Sequence, residues 1–341
     1  MNSEYTLMRR LVSAAFVLTL CVILLGAYTR LTDAGLGCPD WPGCYGFLKV
    51  PQKAESIAHA MAVFPERPLE PHKAWNEMVH RYFAGALGLL IAAIFLYSLA
   101  KKGRPRLLPA LLLVLVVFQA LLGMWTVTLN LMPLVVMGHL LGGFALLSLL
   151  ALLWLQLSPR LRLHDVALRR LKPLAWLAGV VLLLQIALGG WTAANYAALA
   201  CIELPVCEAG WQSRLNISEA FDLHLGHDDY EYGVMSADAR QTVHVFHRLG
   251  AVITLLVLGG LLCCLWRYGR ERNTRLLTML LTVLLLVQFS LGVLNVVLHL
   301  PLFNAVAHNV VAANLLMAMA VLLYQLQQLK TKEVPYGSVS Q

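Results

Sequence analysis

Eight long runs of mostly apolar residues constrain this chain more than any other feature. They lie at about 11–31, 77–100, 107–129, 133–156, 173–195, 243–266, 275–298 and 303–327. Each is long enough to cross the ~30 Å hydrocarbon core of a bilayer as a helix. Lipid offers no partner to backbone N–H and C=O groups, so a run of this kind must pair its own. The composition agrees: 59% of the residues are hydrophobic and 13% are charged, against about 25% charged in a soluble domain. The expected fold is an all-α integral membrane protein with eight transmembrane helices. The first run is too long for the apolar core of a cleaved signal peptide, and no convincing small-x-small site follows it. It reads as a retained helix.

Lys and Arg in the short loops set the orientation. One set of loops carries Arg9, Arg10, Lys101, Lys102, Arg104, Arg106, Arg160, Arg162, Arg169, Arg170, Lys172, Arg267, Arg270, Arg272, Arg275, Lys330 and Lys332. Only Glu4, Asp165, Glu271 and Glu333 offset them there. Both termini are therefore expected in the cytoplasm of a bacterium, with the long loops outside its inner membrane. The net charge of +8 is a topology signal divided among turns, so the partner is the lipid bilayer and no nucleic acid is expected.

Cys38 and Cys44 lie in the first outer loop, and Cys201 and Cys207 in the third. In an oxidising compartment two local disulfides, Cys38–Cys44 and Cys201–Cys207, are the economical reading. A zinc site built from all four is the alternative. Cys21, Cys263 and Cys264 fall in apolar runs as packing residues. The first loop is rich in Gly and Pro around its cysteine pair, which predicts a series of turns. The third is acidic, with a candidate interfacial segment at 216–225.

The chain is written twice. Leu25-Gly26-Ala27-Tyr28-Thr29 recurs as Leu188-Gly189-Gly190-Trp191-Thr192, and His80-Arg81 recurs as His247-Arg248. Gln119-x-x-Leu122-Gly123 recurs as Gln288-x-x-Leu291-Gly292, and His139 matches His308. The offset grows only from 163 (Cys38 to Cys201) to 169 (His139 to His308). Two tandem four-helix bundles follow, residues 1–156 and 173–341, joined by a cytoplasmic linker at 157–172. They are expected to be related by a pseudo-two-fold axis along the membrane normal.

Four of the eleven histidines occupy repeated positions inside spans: His80, His139, His247 and His308. In each half they fall on the second and fourth helices, which run the same way, so they can face one another at similar depth. Facing neutral imidazoles are what bis-histidine heme ligation requires; a proton relay is the rival reading. Gly85, Gly88, Gly138, Gly142, Gly143, Gly250, Ala307 and Ala312 would leave room for a flat macrocycle. Arg81 and Arg248 directly follow a candidate ligand. They read as partners of heme propionates or as side chains snorkelling to the interface. Trp75, Trp125 and Trp191 read as an aromatic belt. His59, His72, His164 and His299 have no repeat counterpart, and His224-x-x-His227 with Asp228 and Asp229 is a weak metal motif.

The halves differ at one place in the motif. Glu77 stands three residues before His80, and His244 three before His247. An ionisable residue at the start of a membrane helix is a functional-site candidate. Glu77 could exchange a proton with a substrate or hold a polar substrate atom; a carboxylate at a helix N-terminus is the bland alternative.

Taken together, Glu77-x-x-His80-Arg81, Gly138-His139, His247-Arg248, His308-Asn309 and the stretch from Tyr28-Thr29-Arg30 to Asp40-Trp41-Pro42 resemble the heme A synthase family over essentially the whole chain. These membrane enzymes convert heme O to heme A for cytochrome oxidase assembly. The resemblance implies that His247 and His308 ligate a heme b cofactor. It places the substrate heme O between His80 and His139, with Glu77 as the family's catalytic glutamate. The implied reaction is oxidation of the C8 methyl group to a formyl group through two hydroxylations and loss of water from a gem-diol. Heme O synthase and cytochrome oxidase assembly are the implied pathway neighbours. The electron donor is not named by the sequence, and a homo-oligomer is compatible with it. A di-heme electron-transfer protein or a heme carrier would share the histidines. All four lie toward one face, however, which does not suit transfer across the membrane.

Overall fold

The computed structural model describes residues 3–100, 103–158 and 161–329, with side chains from Thr6 onward. Among the basic and acidic residues that set the expected orientation, Lys101, Lys102, Arg160, Lys330, Lys332 and Glu333 lie outside the described residues, as does the side chain of Glu4. Among the described residues ten α-helices follow one another: α1 (Ser3–Leu31), α2 (Ala54–Val63), α3 (Pro71–Leu99), α4 (Leu107–Thr128), α5 (Pro133–Gln156), α6 (Lys172–Ala194), α7 (Ile217–Ala220), α8 (Ala237–Tyr268), α9 (Arg272–Val297) and α10 (Leu302–Gln328). All but α2 and α7 are long and apolar enough to cross a membrane, so the eight expected spans are present. No strand occurs among the described residues.

Two spans begin six residues earlier than the apolar runs predict: α3 at 71 rather than 77, and α8 at 237 rather than 243. Pro71 sits in the first turn of α3, where its missing N–H costs nothing. Ser236 caps α8, its hydroxyl accepting from the Ala239 amide at 3.2 Å. Both helices project beyond the apolar run into their outer loops, where polar residues continue the helix and apolarity alone does not mark it. Glu77 is therefore not at the lip of its helix but nearly two turns inside it.

Helices α1, α3, α4 and α5 pack in a closed ring, each on the next, and α6, α8, α9 and α10 do the same. The rings meet along α1 and α5 on one side and α6 and α10 on the other. Helix α3 thus stands diagonally across from α5, and α8 from α10. At the end away from the long loops, large aliphatic side chains fill each ring. Met8, Val12, Leu87, Ile91, Leu112 and Leu150 lie in one core, and Leu182, Leu261, Leu285, Leu315 and Leu322 in the other. Burying one such side chain is worth about 1.5–3 kcal/mol against water; in lipid, close packing takes over that role. Side chains such as Leu89, Leu107, Val114 and Leu256 stay exposed and form the outer face that a bilayer would cover. The segment expected as a linker is docked: Asp165 Oδ2 accepts from the amides of Arg270 and Glu271 and from Thr274 Oγ1 at 2.7–3.1 Å. Burial opposes ionisation of Asp165, but these hydrogen bonds outweigh it and hold the carboxyl below the usual range.

The first outer loop has its own small core. Cys38, Cys44, Tyr45, Val50 and Ala60 of α2 pack on Ala74 and Met78 of α3. Gly37 makes the approach possible, because a Cβ there would lie 2.6 Å from the Lys73 main chain. Helix α2 itself was not expected from the turn-rich sequence. In the third loop, part of the segment expected to be interfacial forms α7, which packs on α8. Trp191, expected in an aromatic belt, is buried beneath it and donates from Nε1 to the Ala220 carbonyl at 2.8 Å. The belt reading fails for Trp191 because α7 covers it. Cys263 is exposed rather than packed.

Candidate functional site

Where the lower parts of the rings are filled by leucine, the loop-bearing ends are lined by glycine and histidine. His80 on α3 and His139 on α5 face each other across the first ring, with ring centroids 6.4 Å apart and planes at 84°. Two imidazoles on opposite sides of one metal ion, each nitrogen about 2 Å from it, put their centroids roughly 6 Å apart. Nδ1 of each ring is buried without a hydrogen-bond partner. The pair therefore has both the spacing and the uncommitted nitrogens of a bis-histidine iron site, and the residues present fit a heme. In the second ring His247 on α8 and His308 on α10 take the corresponding diagonal positions.

Each imidazole is seated on a glycine of the neighbouring helix. A Cβ at Gly26 would lie 2.9 Å from His80 Cε1, one at Gly123 3.5 Å from His139, one at Gly189 3.0 Å from His247, and one at Gly292 3.2 Å from His308. These four glycines stand in the repeated sequences, yet their role is visible only in the packing. Among the glycines expected to leave room for a macrocycle, Gly85, Gly88 and Gly143 do have unfilled space where a Cβ would stand, that of Gly85 on the exposed surface. Gly142 and Gly250 do not, because the side chains of Gln119 and Gln185 occupy the space where a Cβ would go.

Those glutamines and Gln288 were not singled out by the sequence as site residues. Gln185 Nε2 donates to the His247 main-chain carbonyl and lies 2.9 Å from His247 Nδ1. Gln288 Nε2 lies 3.2 and 3.1 Å from the two ring nitrogens of His308. In the first ring the repeat places Val22 where the second has Gln185, so that register offers His80 no amide side chain. Buried partners of this kind orient a ligand and tune its basicity.

Glu77 and His244 share one structural task. Glu77 Oε2 accepts the Cys38 amide at 2.8 Å, and His244 Nδ1 accepts the Cys201 amide at 3.2 Å. Each also engages the arginine one turn on. Glu77 Oε1 forms a buried ion pair with Arg81, whereas Arg248 Nε lies 3.3 Å from His244 Nε2. The arginines then tie down the loops. Arg81 donates to the carbonyls of Asp40, Pro42 and Gly43. Arg248 donates to those of Cys201, Glu203 and Val206. Both loops are closed by disulfides, Cys38–Cys44 and Cys201–Cys207, which removes the four-cysteine zinc alternative. His224 and His227 have rings 6.3 Å apart but no carboxylate closes a metal site around them among the described residues. His59 stands against Phe47 in the first loop, away from the histidine pairs.

The fold and the site define a class: a multi-pass helical membrane protein whose two four-helix rings each carry a diagonal pair of histidines under a disulfide-closed loop. The chain belongs to the family described as cytochrome oxidase assembly protein, whose family model matches residues 9–320. It is 50% identical to a heme A synthase of Shewanella oneidensis over 92% of this chain and 95% of that one. It is 30% identical to a heme A synthase of Beijerinckia indica over 89% and 88%, and 28% identical to one of Granulibacter bethesdensis over 93% and 88%.

Proposed function

We propose that this chain is a heme A synthase, a membrane-bound oxidoreductase that converts heme O to heme A. The observation that carries this reading is the facing pair His80 and His139, with free ring nitrogens, one turn from the buried carboxylate of Glu77. Residues 1–156 form the substrate half, where His80 and His139 hold heme O. Residues 173–341 form the other half, connected by 157–172 and related to the first by the pseudo-two-fold axis of the repeat. There His247 and His308 hold a heme b. When bound, that group supplies one-electron redox chemistry next to the substrate half. Both termini are cytoplasmic, and both histidine pairs lie toward the periplasm.

The change at the substrate is oxidation of the C8 methyl group to a formyl group. Each of two hydroxylations adds one oxygen atom, and the gem-diol then loses water. The oxygen and the electrons come from an oxidant and a donor outside this chain. Loss of water requires a proton to leave one hydroxyl and another to reach its neighbour. Both transfers are assigned to Glu77, through Oε1 or Oε2 once either is released from Arg81 or the Cys38 amide. Arg81 and Arg248 are also proposed to bind heme propionates. Either would exchange a loop carbonyl for the carboxylate, so substrate entry and loop position are coupled. The glycine seats at Gly26 and Gly123 fix the two imidazoles so that the substrate is met in one orientation.

The test is to purify the protein, extract its pigments and identify them by mass. Heme O, hydroxylated heme O and heme A are expected from the wild type, and heme O without heme A from Glu77→Ala. Heme B alone from the wild type would overturn the assignment in favour of a relay or carrier.

A further inference from the structure

Among the described residues, Gln119 is the one glutamine beside the histidine pairs whose amide nitrogen has no hydrogen-bond partner. It is 8% exposed, and its Nε2 is buried without a partner. At the same register in the second half, Gln288 turns its Nε2 to the His308 ring. Gln119 does not make that contact. Its side chain lies over Gly142, where any Cβ would collide with it. A buried donor without an acceptor costs stability and calls for an explanation, and the absent Cβ at Gly142 keeps room for it.

The location narrows what the donor can meet. Helix α4 runs toward the loop-bearing end, so Gln119 lies one turn further from the loops than Gly123, which seats His139. Gly142 lies one turn beyond His139 on α5. The amide is thus on the side of the His80–His139 pair away from Arg81, toward the leucine-filled core. A carboxylate would not be stable there without a cation, whereas an uncharged oxygen is matched by a neutral amide N–H.

We propose that Gln119 donates a hydrogen bond to an uncharged oxygen on the rim of the porphyrin bound in the first half. This rests on the heme A synthase reading. Two oxygens have this chemistry: the one introduced at the reacting carbon, present in heme A, and the hydroxyl of the isoprenoid-bearing substituent, present in both heme O and heme A. Heme B has neither.

The experiment titrates heme B, heme O and heme A into protein purified with its second-half heme in place, and reads dissociation constants from difference spectra. Wild type is compared with Gln119→Leu and with Gln119→Met, the latter keeping the side-chain length if leucine disturbs folding. Loss of one neutral hydrogen bond weakens binding by about tenfold. A loss for heme A alone assigns the oxygen at the reacting carbon. A loss for heme O and heme A, with heme B unchanged, assigns the substituent hydroxyl. Equal losses for all three hemes, or none, overturn the proposal. A wild type that takes up neither heme O nor heme A overturns the synthase reading and this inference with it.

Discussion

The two halves repeat a latch and differ in what lies beneath it. Each has a disulfide-closed loop, an arginine donating to three loop carbonyls, and an acceptor one turn earlier receiving the amide of the loop's first cysteine. That acceptor is Glu77 in the first half and His244 in the second. The first half thus balances its arginine with a buried carboxylate, and the second pairs it with an imidazole. Below the latch the contrast runs the same way. Gln185 and Gln288 are both turned onto histidines, while in the first half Val22 replaces one glutamine and Gln119 is left free. One half has its polar groups committed to its own histidines; the other ties its carboxylate into the latch and leaves two ring nitrogens and an amide without a partner. A cofactor held permanently suits the former, and a substrate that arrives, changes and leaves suits the latter.

The largest effects should come from the histidines. His247→Ala or His308→Ala is expected to abolish the low-spin spectrum of the heme proposed for the second half. His80→Ala should preserve that spectrum and lose heme O binding. Survival of the resident heme in both second-half variants would break the division between halves. Next comes Glu77→His, which writes the second half's acceptor into the first. Since His244 accepts a loop amide at 3.2 Å, the loop should stay docked and heme O should still bind. Heme A formation is expected to fall by about 10²–10⁴, the usual contribution of a positioned acid–base group. Unchanged formation in membranes that depend on this protein would leave Glu77 with the latch role alone.

Stability should separate the halves less sharply. Arg81→Ala leaves Glu77 buried without its cation, a loss of about 3–5 kcal/mol. Arg248→Ala leaves His244 and the loop carbonyls short of a donor, about 1–3 kcal/mol. Denaturation of the two variants in the same detergent, both with disulfides intact, should rank them in that order. The reverse ranking would mean that Glu77 gains little from Arg81.

The spans and the repeat were legible because each depends on local pattern: apolar length for the helices, near-constant offsets for the four histidines. The latch was not. Arg81 follows His80 in sequence, but its carbonyl partners at Asp40, Pro42 and Gly43 depend on how a loop some forty residues away folds back. The contrast between Glu77 and His244 was visible as a chemical difference, while their shared role as loop acceptors needed the loop in place. Trp191 failed for a related reason, because nothing local says that α7 covers it. The glycine seats carried a signal that sequence could have used. Gly26, Gly123, Gly189 and Gly292 recur in step with the histidines, and a recurring glycine inside an apolar helix asks what approaches it.

The smallest expected effect concerns how the halves hold to each other. Inside the span region they join mainly through apolar side chains of α1, α5, α6 and α10, and at its outer end Arg30 Nη2 donates to the Ala193 carbonyl at 2.8 Å. At the loops they join through charge: Arg67 Nη1 meets Glu231 at 2.6 Å and Nη2 meets Asp229 at 2.7 Å. Asn130 Nδ2 also donates to the Asp228 carbonyl at 2.8 Å. Arg67 is partly exposed, and burial works against its charge, but the two carboxylates outweigh it and raise its pKa. A pair of this exposure is worth about 0–1 kcal/mol and is screened as the Debye length falls to about 3 Å at 1 M salt. Arg67→Met should lower the midpoint of thermal denaturation slightly at low salt and not at all at high salt. The apolar seam, which salt does not screen, should keep the halves together in both. A deficit that persists at high salt would mean that Arg67 contributes through packing of its stem rather than through charge, and that the loops hold the halves together by the same physics as the helices below them.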